Sequence, residues 1–140
     1  MKFIKITTRH TREELDKVVD GLDKVYKKIL IDLYSEFNHL EYNTKDGFVA
    51  MYASIDDRKL VKLFECFTKN SLDFSYEDIT KNVLFGNIPR IDQEHEEPNL
   101  KCLIDEFVAD NLDTNTVLDK ISEMGFNSLT EQDLKVLEAH

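Results

Sequence analysis

Long apolar runs are missing from this chain. Nowhere do apolar residues continue for the roughly 18 positions that a membrane-spanning helix needs, so no membrane insertion is expected. The opening Met1-Lys2-Phe3-Ile4-Lys5-Ile6 is too short and too interrupted by lysine to read as a secretory signal. Cysteine is scarce. Cys66 and Cys102 both fall in helical patterns and cannot build a disulfide framework, so they are expected to be reduced thiols in a cytoplasmic protein. Two prolines and four glycines, beside 41% apolar and 33% charged residues, exclude a disordered chain and favour a helix-rich globule. Basic residues are outnumbered, 18 against 28 acidic ones, and the net charge of -10 repels nucleic acid and anionic membranes.

Recognisable chemistry is also sparse. There is no glycine-rich phosphate loop and no Gly-x-Ser-x-Gly. The four histidines, His10, His39, His95 and His140, stand at no ligand spacing to one another or to cysteine, so neither a metal nor a cofactor is expected. His95, among Glu94, Glu96 and Glu97, reads as part of a solvated acidic stretch. Cys66, between Glu65 and Phe67 with no evident base, reads as a packing thiol. His10, beside Arg9 in the loop after the first strand, and His39 are the candidates for acid/base chemistry.

What the chain does have is Gly47-Phe48-Val49-Ala50-Met51-Tyr52-Ala53-Ser54-Ile55, a stretch without charge that follows the turn signal Asn43–Gly47. It predicts an interior strand covered on at least one face by helices. Residues 2–8 alternate like a first strand. Thr11 and Glu14 have the spacing of a capping box. From Leu15 to Phe37 apolar residues recur at three- and four-residue steps, which predicts a helix over 12–37. At about 1.5 Å per residue it would be near 39 Å long, more than a small sheet can cover. Either Gly21 breaks it, or one end projects as a surface for a partner. His39–Tyr42 predicts a second strand in a hairpin with the uncharged stretch, 57–70 a second helix, and 72–77 a fourth strand.

The resulting order, β-α-β-β-α-β, predicts an α+β domain of the ferredoxin-like class over residues 1–87. Its antiparallel sheet carries both helices on one face, with the first and third strands central. Residues 88–99 hold both prolines and the run Asp92–Glu97, and read as an acidic linker. Residues 100–140 read as a helical tail of three short helices. Gly125 ends the second and Thr130 caps the third, and none is stable alone.

Within that tail, Val117-Leu118-Asp119-Lys120-Ile121 leads through Gly125-Phe126-Asn127-Ser128-Leu129-Thr130 into an acidic helix. This resembles a short helical motif at the C-termini of some bacterial rhomboid-family and other bacterial proteins. The resemblance covers about the last 25 residues and carries no catalytic residue. It implies a bacterial origin and a docking element, with Phe126 and Leu129 pinning the turn.

The strand order also raises RNA recognition, which needs exposed aromatics on the first and third strands. Phe3, Phe48 and Tyr52 suit that role in type. However, Asp46 and Val49 stand where the RNA-binding signature has glycine and an aromatic, and the net charge opposes it. Three readings follow. The first is a non-enzymatic interaction or regulatory module with a protein partner or a second copy of itself. The second is a small-molecule sensor with its pocket on the open sheet face at Phe3, Phe48 and Tyr52. The third is a small dimeric enzyme using His10 or His39. The first is preferred, because no catalytic constellation stands out.

Overall fold

The computed structural model describes residues 1–86 and 98–139. The acidic run with His95, and His140, lie outside them. The chain divides into two compact units, Met1–Thr80 and Lys81–His140.

In the first unit the elements follow as β1 (Lys2–Thr8), α1 (Arg12–Asp20), α2 (Lys24–Ser35), β2 (Asn38–Asn43), β3 (Val49–Ile55), α3 (Asp57–Lys69) and β4 (Phe74–Asp78). The expected single helix over 12–37 is therefore two, and the order is β-α-α-β-β-α-β rather than β-α-β-β-α-β. Gly21 ends α1 in an ordinary right-handed conformation, φ -78° and ψ -8°, so glycine's conformational freedom is not the cause of the break. Asp23 is. It turns extended at φ -66° and ψ 162°, and its carboxylate accepts the Tyr26 N–H at 2.7 Å, which starts a new helix. A short acid that bonds the backbone locally competes with helix continuation.

The four strands form one sheet in the order β2-β3-β1-β4. Every neighbouring pair is antiparallel, with Ile6 opposite Met51 and Tyr76, and Tyr52 opposite Leu40. β1 and β3 are thus the central strands. All seven residues of β3 are buried, as an uncharged interior strand should be. Phe48 lies just before β3, where Gly47 turns the chain at φ 80°.

Strand alternation sorts the side chains between two faces. Ile4, Ile6, Met51, Ala53 and Ile55 form one core with Leu33 and Phe37 from the α2 side and Leu60, Leu63 and Phe67 of α3. Tyr34, Phe64, Leu72 and Phe74 pack against it. No residue of α1 belongs to this cluster, and none of α1 is fully buried. Across the sheet, Phe3, Tyr42, Ala50 and Tyr52 are also buried.

The second unit contains α4 (Thr80–Phe85, its first residue closing the unit before), α5 (Pro98–Asn111), α6 (Thr114–Met124), a single 3-10 turn at Phe126–Ser128 and α7 (Glu131–Glu138). The first helix of the tail thus starts at Pro98, inside the expected linker. Gly125 stands at φ 81°, beyond the reach of most L-residues, and its N–H closes on the Ile121 carbonyl at 2.8 Å. Thr130 and Asp133 form a complete capping box at the start of α7.

Candidate functional site

α1 rests on the sheet without filling the space beneath it. Leu15, Val18, Val19 and Leu22 recur at helical spacing and are half-buried. Below them lies a cavity of about 300 Å³, floored by Ile6, Val49 and Met51 of the sheet. Leu30, Ile31 and Tyr34 of α2 form one wall, and Cys66, Phe67 and Asn70 at the end of α3, with Leu72 beyond it, form another. The volume is at the lower end for small-molecule sites, and the mostly apolar lining with few polar groups is typical of them.

The polar groups gather at specific points. Arg12, the first residue of α1, reaches Glu41 of β2 at 2.6 Å, and both line the cavity. Glu41 is on the helix-covered side of an edge strand, so this pair fixes the start of α1 to the sheet. Tyr34 packs its ring on Phe37 and His39, with centroids 5.5 and 5.3 Å away. Burial, then the negative charge of Glu41, push its phenol well above the usual tyrosine range, so it is a neutral O–H donor at ordinary pH. The neighbouring Cys66 thiol, then burial, also raises the Tyr26 phenol.

A second, open groove of about 410 Å³ runs between α2 and α3. Tyr26, Ile29, Leu30 and Leu33 line it, and Lys69 sits over the Tyr26 ring at 5.0 Å. Val25 and Ile29 of α2 are 73% and 57% exposed, so part of the predicted apolar stripe does face outward.

The two histidines proposed for acid/base chemistry are not brought together, and each has a structural task. His10 accepts the Asp73 N–H on Nε2 at 2.8 Å, which leaves Nδ1 as the donor to Glu14 at 3.2 Å. Glu14 thus pairs with this ring, where a capping box would have turned it toward Thr11; the Thr11 half of the box does form. The His10 carbonyl takes the Val49 N–H, so the residue ties three loops together. His39 lies on the covered side of β2 with Nδ1 3.3 Å from the Phe37 carbonyl and its ring against Tyr34 and Phe37. Its only described polar neighbour is that carbonyl, and its surroundings are aromatic.

Of the predicted sheet-face residues, Phe3 and Tyr52 come together at 6.2 Å, and Tyr42, which the sequence did not single out, stacks on Tyr52 at 5.4 Å. All three are buried and present no open aromatic platform. Phe48 is half-buried outside the strand, its N–H on the Thr44 hydroxyl. In the tail, Leu129 is half-buried, whereas Phe126 is 74% exposed and so does not pin the turn by packing.

The turn is held instead by a pair that sequence reasoning passed over. Lys120 reaches Asp133 at 2.8 Å, and both side chains are almost fully buried. Asp133 also accepts the Thr130 N–H. Burial opposes its charge, but the Lys120 and Thr130 bonds outweigh it and hold the carboxyl below the usual carboxylate range.

Among the described residues, no group of three or more His, Cys, Asp or Glu could hold a metal ion, and no helix is long and apolar enough to cross a membrane. Compared with protein-family models, curated proteins and solved structures, the chain matches none of them.

Proposed function

We propose that the first unit is a ligand-responsive regulatory module of the ferredoxin-like type, holding a small apolar molecule beneath α1. The strand order, with β1 and β3 central and every neighbour antiparallel, supports the fold type. A single observation carries the functional reading: α1 contributes nothing to the packed core, yet turns its whole apolar stripe onto a cavity. A concave, mostly apolar space with a few polar groups is the usual setting for a small ligand. A nine-residue helix has little stability of its own, so an occupant that fills the space would anchor it. Occupancy would then be read out as the order of α1.

The test is a methyl-resolved NMR titration with ethylbenzene. Shifts confined to Leu15, Val18, Val19 and Met51, with Leu60 and Leu63 unmoved, are expected. Val19→Phe, which fills the space, should abolish them. Shifts spread over the whole surface, or none, would overturn the reading.

The tail supports a second role, as a protein-docking element. Leu118, Met124, Phe126 and Leu134 are all exposed within it. Phe126→Ser with Leu134→Ser should remove partner capture without unfolding the tail; unchanged capture would refute docking through these two residues.

A further inference from the structure

The polar groups around the cavity restrict what it takes. Among the described residues the only cation lining it is Arg12, and Glu41 already neutralises that charge at 2.6 Å. An organic anion would have to displace Glu41 in a chain of net charge -10. An organic cation would meet Arg12. Asp16, also on the rim, leaves the balance slightly acidic. The lining therefore favours a ligand without charge.

Tyr34 supplies the direction. Its ring is clamped by Phe37 and His39, so the phenol cannot swing freely. It lines the cavity, and among the described residues its hydroxyl has no hydrogen-bond partner. An O–H donor at the edge of an apolar space is matched by a ligand that brings an acceptor.

We infer that the cavity takes a neutral, mainly apolar molecule bearing one hydrogen-bond acceptor, a ketone, aldehyde or ester carbonyl, which receives the Tyr34 hydroxyl. The inference rests on the ligand-binding reading above. The carbonyl end lies toward Tyr34 and the hydrocarbon end toward Met51, Val19 and Leu22. Any water on the hydroxyl is displaced by the carbonyl, which replaces its bond.

Three probes of similar size test it: ethylbenzene, acetophenone and benzoate, titrated by NMR into the full chain and into Tyr34→Phe. The variant keeps the ring and removes only the donor. Expected in Tyr34→Phe is a roughly 3- to 10-fold loss of acetophenone affinity with ethylbenzene held within about 2-fold, the range for one hydrogen bond. Comparing the change for each probe cancels their different affinities for water. Benzoate should bind the wild-type chain least. Equal losses for acetophenone and ethylbenzene, or benzoate as the tightest ligand, would refute the carbonyl assignment while leaving a ligand cavity in place. Failure of all three probes to bind the wild-type chain would instead remove the cavity reading itself.

Discussion

Lys120 and Asp133 meet at 2.8 Å with 3% and 2% of their side chains exposed, which makes a charge pair the interior of the α6–α7 turn. Both charges have left water, so the pair is worth little by itself, whereas either charge without the other is strongly unfavourable. Lys120→Met or Asp133→Asn alone should destabilise the second unit by about 3–5 kcal/mol. The double replacement Lys120→Met with Asp133→Leu should cost much less. Urea unfolding followed by α6 and α7 amide signals checks both; equal losses for single and double variants would show that the pair is not coupled.

The same pair sets a pH dependence. Folding holds the Asp133 carboxyl below its ordinary value, so its stabilisation is complete above the unfolded-state value of about 3.9 and is lost as pH falls through the lower folded value. The stability gap between wild type and Asp133→Asn should therefore be constant from pH 7 to about 5 and shrink below about pH 4. Urea midpoints across that range measure it. A gap that widens on acidification would contradict the assignment.

In the first unit the contrast between two leucines follows from where they point. Leu63 is wholly buried in the core, and Leu63→Ala should cost about 2–5 kcal/mol. Leu15 already borders empty space and is half-buried, so Leu15→Ala should cost less than half as much as Leu63→Ala. Thermal or urea denaturation of the two variants decides the point.

The break between α1 and α2 gives a prediction of opposite signs at neighbouring residues. Gly21 has a right-handed φ, and a β-carbon there would meet only the Lys17 and Val18 carbonyls at 3.4 and 3.6 Å. Gly21→Ala should stabilise by about 0.4–1 kcal/mol without fusing the helices. Asp23→Ala removes the cap of α2 and should cost about 1 kcal/mol. Amide exchange at Tyr26 and Lys27 reports the second change directly.

Much of this architecture could be read from the residues. The uncharged Val49–Ile55 segment proved central because a strand with neighbours on both sides and all seven residues buried has no place for charge. α3 falls where a second helix was expected over 57–70, and Gly125 and Thr130 marked the tail turn by their backbone chemistry. The α1–α2 break was half-visible: the length left either a break at Gly21 or a projecting end, but periodicity continues across the break, and Asp23 looked like any solvated acid. The cavity was not legible at all. Leu15, Val18, Val19 and Leu22 show the same spacing whether they meet packed side chains or space. Nor does sequence spacing show that Lys120, amid surface-like charges, turns inward to a residue one helix away. His10 looked free to react because its Asp73 partner is distant in sequence.

The sheet's pairing also dictates a timetable. β1 is made before both of its partners: it pairs on one side with β3, Lys2 lying opposite Ile55, and on the other with β4, Ile4 lying opposite Asp78. A nascent chain emerging from the ribosome must hold this apolar segment unpaired until β3 has followed, and its other edge open until nearly the whole first unit has. Through that interval Phe3, Ile4 and Ile6 form the stretch of this domain most in need of chaperone shelter.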